Sequence, residues 1–454
     1  MARPSLRVAS LSAACVAIAA ASLALPGAPS FDPWAWIVFG KEIVDPGLAF
    51  STHAPTGWKP LAVIFTAPFA LFGDVAPSLW LVVVRSAGLA ALALAFRLGW
   101  RAGGAVAGAL AAIALLASAD WLRYLAAGNI EPFVIALLFG AIELHVQGRR
   151  GGAFVLVAFA GLGRPEAWLL AGPYALYVLV AERRWWPLVL GVPAMLALWI
   201  VPDWIGSGDL LHTFHAAQIS AEPKRLQETS DPAFELVRGA GDILPVPVWI
   251  AALCGAVLGW RDRDPTVRAL VVVVLVWAVP TIVGTAFGYP AVPRYLVEPA
   301  AMCCVLAGIG VVAVVRLAAN PRVRAALAVG IAVVSIPFLV PRAEGLADQA
   351  SDSQARADEV AALWRAVDRA RERAPIDGMR AVVKPQGMAN GLAWKLDLQL
   401  RGVSTWFSPA ARLAFINGDE QAVVARLRRR DATAHRLTAA GPWQVLVVRW
   451  PRTA

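Results

Sequence analysis

The chain has 454 residues, 59% of them hydrophobic and only 16% charged, whereas a soluble domain carries about 25% charged residues; an ordinary soluble enzyme and a disordered chain are both excluded. The formal net charge of +10 does not point to nucleic acid, because the basic residues of the apolar part sit in short clusters between apolar runs, the pattern of membrane-topology signals. The runs are continuous rather than alternating, which excludes a transmembrane β-barrel.

The first apolar run, 8–25, follows Arg3 and Arg7 and ends in "ALPGAPS". It is built like a signal peptide, but the many runs after it make it an uncleaved first span. Next comes "SFDPWAWIVFGKEIVDPG", residues 30–47, with Asp32, Glu42 and Asp45 set among Phe31, Trp34, Trp36 and Phe39. The segment from Trp34 to Glu42 is predicted to be an interfacial helix with its aromatic rings in the headgroup zone. Asp32 has two readings. It can cap that helix ahead of Pro33 at the first helical position, or it can take a proton as a general base at the water–lipid boundary. "STHAPTGWKPL" then offers His53 and Lys59, either as cations for a lipid phosphate or as anchors beside Trp58. Residues 60–73 are apolar but short and interrupted by Pro68, which suits an interfacial or half-inserted helix.

Further spans are predicted at 78–96, 103–119, 129–146, 152–163, 166–181, 186–205, 245–260, 268–287, 296–315 and 324–340, about eleven in all with the first. Basic residues follow every second one: Arg97 and Arg101, Arg149 and Arg150, Arg183 and Arg184, then Arg261, Arg263 and Arg268, then Arg316, Arg322 and Arg324. Those exits and the N-terminus are therefore expected in the cytoplasm. Residues 26–77, 120–128, 164, 206–244, 288–295 and the tail are expected on the other side. That side holds the long, polar loops, and function usually resides on loops held by a scaffold.

Three polar groups stand out there. "GLGRPEAWLL" places Arg164 and Glu166 at a hairpin, where they can pair structurally or serve a site. "YPAVPRYLVEP" places Arg294, Tyr295 and Glu298 at a span end, and an arginine fork suits a phosphate. Asp120, Arg123, Asn129 and Glu131 form the third. His212 and His215 alone do not make a metal site. The four cysteines, Cys15, Cys254, Cys303 and Cys304, lie inside apolar runs and read as small buried hydrophobes. No metal ligand set and no nucleotide-binding motif is present in the sequence.

Past residue 341 the composition changes. "DQASDSQARADEVAALWRAVDRARERAP" predicts an amphipathic helix, "MRAVVKP" and "WQVLVVRW" predict strands, and "DEQAVVARLRRRD" predicts another helix whose "LRRR" is a solvated face. The expected organisation is an all-α polytopic membrane domain, 1–341, followed by a small extracytoplasmic α/β domain, 342–454.

The order of the motifs carries a resemblance: an Asp in an aromatic loop after the first span, "PLAVIFTAPFALFG" before the second span with its embedded Arg85, "RPEA" in mid-chain, and "PRYLVEP" late. Over about residues 1–340 the chain resembles the GT-C superfamily of integral-membrane glycosyltransferases. Its protein O-mannosyltransferase, aminoarabinose transferase and actinobacterial mannosyl- and arabinosyltransferase branches are the relatives in architecture. The resemblance implies a multi-pass enzyme of the plasma membrane. It would pass a sugar from a polyprenyl-phosphate donor to a hydroxyl on a glycan, lipid or protein acceptor outside the cytoplasm; the chemistry of such a transfer predicts inversion and needs no nucleotide, and no cofactor is expected, a divalent cation having no support in the sequence. It also implies Asp32 as the base, with Asp45 as a second acidic candidate, and Arg164, Arg294, Lys59 and His53 as candidates for the donor phosphate. Many relatives have adjacent acidic residues in this loop, where Asp32 is followed by Pro33. A lipid-linked glycan transporter or flippase and a non-catalytic cell-envelope scaffold are the competing expectations. The first would want ionisable groups at mid-membrane and paired broken helices.

Overall fold

The computed structural model describes residues 4–52, 56–213, 215 and 231–451; Arg3 and His53 lie outside them. The chain begins with α1 (Pro4–Ala21). Two helices follow at one end of the bundle, α2 (Phe31–Val44) and α3 (Pro60–Ala70). Then come α4 (Ala76–Gly103), α5 (Ala105–Leu116), the short α6 (Trp121–Ala127), α7 (Glu131–Val146), α8 (Arg150–Gly163), α9 (Trp168–Glu182) and α10 (Val192–Ser207). The last part of the bundle is α11 (Pro232–Gly241), α12 (Val246–Arg261), α13 (Pro265–Thr285), α14 (Val297–Leu317) and α15 (Pro321–Arg371).

Each apolar run expected to span is helical. Among the described residues five helices are long and apolar enough to cross a membrane, or up to seven if each of two bent pairs is one span. One such pair, α5 with α6, bends by 63°, and the other, α11 with α12, by 97°. The starts are written locally. Asp231, Asn320 and Asp264 each precede a proline, and each accepts a hydrogen bond from the backbone of the first turn it caps. Where two helices cross most closely, glycine is required. A Cβ on Gly310 of α14 would lie 1.9 Å from the Ala251 carbonyl oxygen, and one on Gly255 of α12 would lie 2.0 Å from that of Leu306.

α15 has 51 residues and runs without a break past residue 341, so the compositional change there falls inside a single helix. Its second half enters a mixed five-stranded sheet with order β2-β1-β3-β5-β4. The strands are β1 (Ala381–Lys384), β2 (Val403–Ser404), β3 (Leu413–Asn417), β4 (Thr433–Ala440) and β5 (Trp443–Arg449). β1 pairs in parallel with β2 and β3; β5 is antiparallel to β3 and β4. α16 (Ala389–Lys395) and α17 (Glu420–Arg428) complete this unit. Leu427 is buried against the sheet's second core while Arg428, Arg429 and Arg430 are exposed.

The sheet unit sits on α2. Every residue from Pro33 to Gly40 is buried, so α2 is covered on all faces and its aromatic rings are not in a headgroup zone. Trp34 packs edge-on to Trp364 of α15, its indole lying over Gly391 of α16. Trp36 packs edge-on to Trp80 of α4, and its carbonyl accepts from Thr66 Oγ1 of α3 at 2.7 Å. α2 and α3 touch so closely that a Cβ on Gly40 would lie 2.4 Å from the Thr66 carbonyl carbon. Polar contacts lock the same joint: Asn390 Nδ2 donates to the Phe31 carbonyl at 2.7 Å, and Lys41 pairs with Asp397. Glu42 is buried, accepting from the backbone N–H of Ser51 at 3.1 Å and of Leu400 at 3.0 Å. One hydrophobic core therefore runs from the helix bundle into the sheet.

Candidate active site

The loops expected on one side of the membrane meet at one end of the bundle. Three helices begin there with a glutamate in the first turn: Glu131 at the start of α7, Glu298 at the start of α14, and Glu166 in the short turn ahead of α9. Carboxylates are favourable at helix N-termini, but three buried together need cations. Arg164, which closes α8, supplies one. Its Nη2 donates to Glu131 Oε1 at 2.9 Å and its Nε to Glu298 Oε1 at 3.0 Å, with the arginine 2% exposed and both carboxylates 0% exposed. Nη2 also donates to the Arg294 carbonyl at 3.3 Å, and Tyr295 lies under the guanidinium at 5.5 Å.

Arg294 stands one layer outward. Its Nε donates to Glu131, its Nη1 to Asp32 Oδ2 at 3.3 Å, and among the described residues Nη2 has no hydrogen bond. Arg294 and Asp32 are each about a third exposed. The chain thus runs outward from Glu298 through Arg164, Glu131 and Arg294 to Asp32, from a dry interior to an open carboxylate. Arg294 also lines a polar cavity of about 420 Å³, with Ser30, Asn129, Arg123 and Asp242 on its walls. Lys59, at the N-cap of α3, lies 5.4 Å over the Trp199 ring and has no ion pair among the described residues. Burial first, and then the Arg164 and Arg294 charges, push its ammonium down to about 8; Glu166 and Asp32 pull the other way.

Several expectations need correction. Ser30, not Asp32, is the N-cap of α2, and its hydroxyl donates to Asn129 Oδ1 at 2.7 Å. Asp32 sits in the first helical turn, free of capping duty. Asp45 is at the other end of α2, about 20 Å away at helical rise, where it closes a turn by accepting from Gly47 N at 2.9 Å; it does not join Asp32. Arg164 and Glu166 do not pair with each other. Glu166 accepts instead from Tyr289 Oη at 2.8 Å. Arg164 spends its Nε and Nη2 on the two buried carboxylates and the Arg294 carbonyl, and it is itself 2% exposed, which sets it behind Arg294. Glu131 and Glu298, which the sequence set among polar groups without a role, are the network's buried carboxylates. Their signal is a repeated Glu-Pro pair, "IEP" and "VEP", at the start of two apolar runs.

The helix bundle with its appended sheet is a fold shared with solved structures at low sequence identity. The particular structure it is similar to is ArnT from Cupriavidus metallidurans. With ArnT bound to undecaprenyl phosphate the TM-score is 0.61 at 15% identity, covering 98% of this chain and 99% of that one. With the apo state it is 0.59 at 14% identity, covering 99% and 100%. An archaeal oligosaccharyltransferase from Archaeoglobus fulgidus aligns at a TM-score of 0.49 and 12% identity, over 89% of this chain and 64% of that one. No protein-family model matches the sequence, and no curated protein matches it.

Proposed function

We propose that this chain is a membrane glycosyltransferase that moves a sugar from a polyprenyl-phosphate donor to an acceptor hydroxyl. The orientation we infer has the N-terminus in the cytoplasm, about eleven spans, and the site and the 342–454 region outside. The observation that carries the reading is the open Asp32 carboxylate, 3.3 Å from the Arg294 guanidinium that lines a polar cavity, on a fold whose solved neighbour was bound to undecaprenyl phosphate.

The chemistry needs one base and a set of cations. The acceptor O–H gives its proton to the Asp32 carboxylate as its oxygen attacks the anomeric carbon. The bond from that carbon to the phosphate oxygen breaks, and the electron pair leaves with the phosphate. Arg294, through its open Nη2, and Lys59 meet that charge. Attack opposite the leaving group inverts the anomeric centre. Arg164 acts as a positioning residue, holding the Glu131 carboxylate and the Arg294 backbone. Asp45 has no part, being at the far end of α2. The transporter reading wants ionisable groups at mid-membrane, whereas Arg85 of α4 is tied at 2.6 Å to the Ser22 carbonyl, near the same end as Asp32.

The test uses purified protein in vesicles with radiolabelled polyprenyl-phosphate sugars and a membrane extract as acceptor source. Transfer that disappears in Asp32→Asn, with unfolding behaviour unchanged, supports the enzyme. Lipid movement across the bilayer without transfer would replace it with the transporter.

A further inference from the structure

A second cavity runs toward the opposite end of the bundle. It is a groove of about 500 Å³ between the inner halves of α7 and α13, the first and middle turns of α9, and Ala153 and Val157 of α8. Its walls are apolar, with Leu138 and Ile142 from α7 and Val272 and Val276 from α13. α7 runs away from the candidate site, so His145 is about 21 Å from Glu131 along the helix axis. The groove's far end is polar: Arg263, Arg268, His145, Tyr174 and Tyr177 line it. His145 Nδ1 and Tyr174 Oη are 2.9 Å apart.

Some cations at this end have carboxylate partners and some do not. Arg97 and Arg101 are matched by Glu143, and Arg150 by Glu182. Among the described residues neither Arg263 nor Arg268 has an ion pair. Arg268 lies 5.6 Å over the Trp260 ring, and its Nε is buried with no hydrogen-bond partner. Among the described residues Asp264 forms no ion pair with either; its Oδ1 caps α13 through the N–H groups of Thr266 and Val267. A buried guanidinium donor without an acceptor costs free energy. At this depth an anionic headgroup supplies the acceptor, and the apolar groove takes the attached chain.

We propose that this groove binds one anionic phospholipid from the leaflet opposite the candidate site, its acyl chain between α7, α9 and α13 and its phosphate against Arg263 and Arg268. The tyrosine hydroxyls and His145 face the ester and glycerol oxygens. The occupant is a bilayer phospholipid because the site opens at the far end from Asp32, where no sugar-transfer chemistry is placed. The proposal requires only that the chain spans a bilayer; it does not depend on the transferase reading.

Native mass spectrometry of the full-length protein in neutral detergent tests it, with phosphatidylglycerol and phosphatidylcholine of the same acyl chains as probes. The wild type should retain one phosphatidylglycerol at concentrations at least tenfold below those needed for phosphatidylcholine. Arg263→Gln, at an exposed position, together with Arg268→Gln, should abolish that preference. Val272→Trp, which fills the groove and leaves the charges, should reduce retention of both. Equal retention of the two lipids by the wild type overturns the proposal without recourse to any variant. So does phosphatidylglycerol retention that is unchanged when Arg263 alone is replaced or when the groove is filled.

Discussion

Replacing Arg164 by methionine removes the cation between two glutamates that are 0% exposed. The two carboxylates are not left alike. Glu131 keeps Arg294 as a partner, whereas Glu298 has no other ion pair among the described residues. Breaking a buried ion pair from one side costs about 3–5 kcal/mol, because the remaining charge is stranded in a poor solvent. Nearly all of that cost should therefore fall on Glu298. Arg164→Met should lose about 3–5 kcal/mol, and adding Glu298→Gln should return most of it, since a neutral amide needs no counter-charge. In a double-mutant cycle the coupling between the two positions should exceed about 2 kcal/mol. Reversible unfolding in mixed detergent micelles measures all four corners. A loss below about 1 kcal/mol for the single variant, or additive losses in the double, would refute the assignment of Arg164 as a buried counter-ion. The same variant should raise the KM for the donor, because the Arg294 carbonyl loses its 3.3 Å contact with Arg164.

The other expectations concern the open end of the network and the joint beneath the sheet. Asp32→Asn should lower kcat by about 10²–10⁴, the range for a lost general base, while Asp45→Asn leaves it within about twofold; equal effects would remove Asp32 from the mechanism. With Lys59 at about 8, about nine-tenths of it is charged at pH 7 and about a tenth at pH 9. The alkaline limb of kcat/KM should thus fall through pH 8, and Lys59→Arg should carry that limb upward; an unshifted limb would place the titration elsewhere. Burial raises Glu42 to about 7 against the lowering pull of its two backbone donors and Arg401. The folded state then holds the proton more tightly than the unfolded one, so stability is greatest below the unfolded pKa. It should decline by up to about 3 kcal/mol between pH 4.5 and 7 and be flat above. Glu42→Gln should abolish that slope, which unfolding curves at several pH values will reveal.

How much of this was legible beforehand depended on range. Helices were readable because a long apolar run has few alternatives in a membrane, and the Asx-Pro starts at Asp231, Asp264 and Asn320 are local signals. The strands β1 and β5 and the helix α17 were legible from their own periodicity. What lay hidden was contact over long separations. α2 looked interfacial because nothing in its neighbourhood announces that Trp364 and Gly391, more than 300 residues on, will cover it. Asp32 resembled a cap because the Asp-Pro pair is one elsewhere in this chain; only the start of the helix at Phe31 frees it. Arg164 read as a phosphate ligand because the sequence shows its charge but not the two glutamates, brought from α7 and α14, that take its Nε and Nη2.

α15 is about 77 Å long at helical rise and carries Pro337 and Pro341 within its length. Its first half runs beside the bundle with none of residues 321–345 buried, and its second packs on the sheet, so one continuous helix links the two. A ligand that tilts the sheet unit must twist this helix or flex it near the two prolines, and the exposed first half leaves room for that flexing.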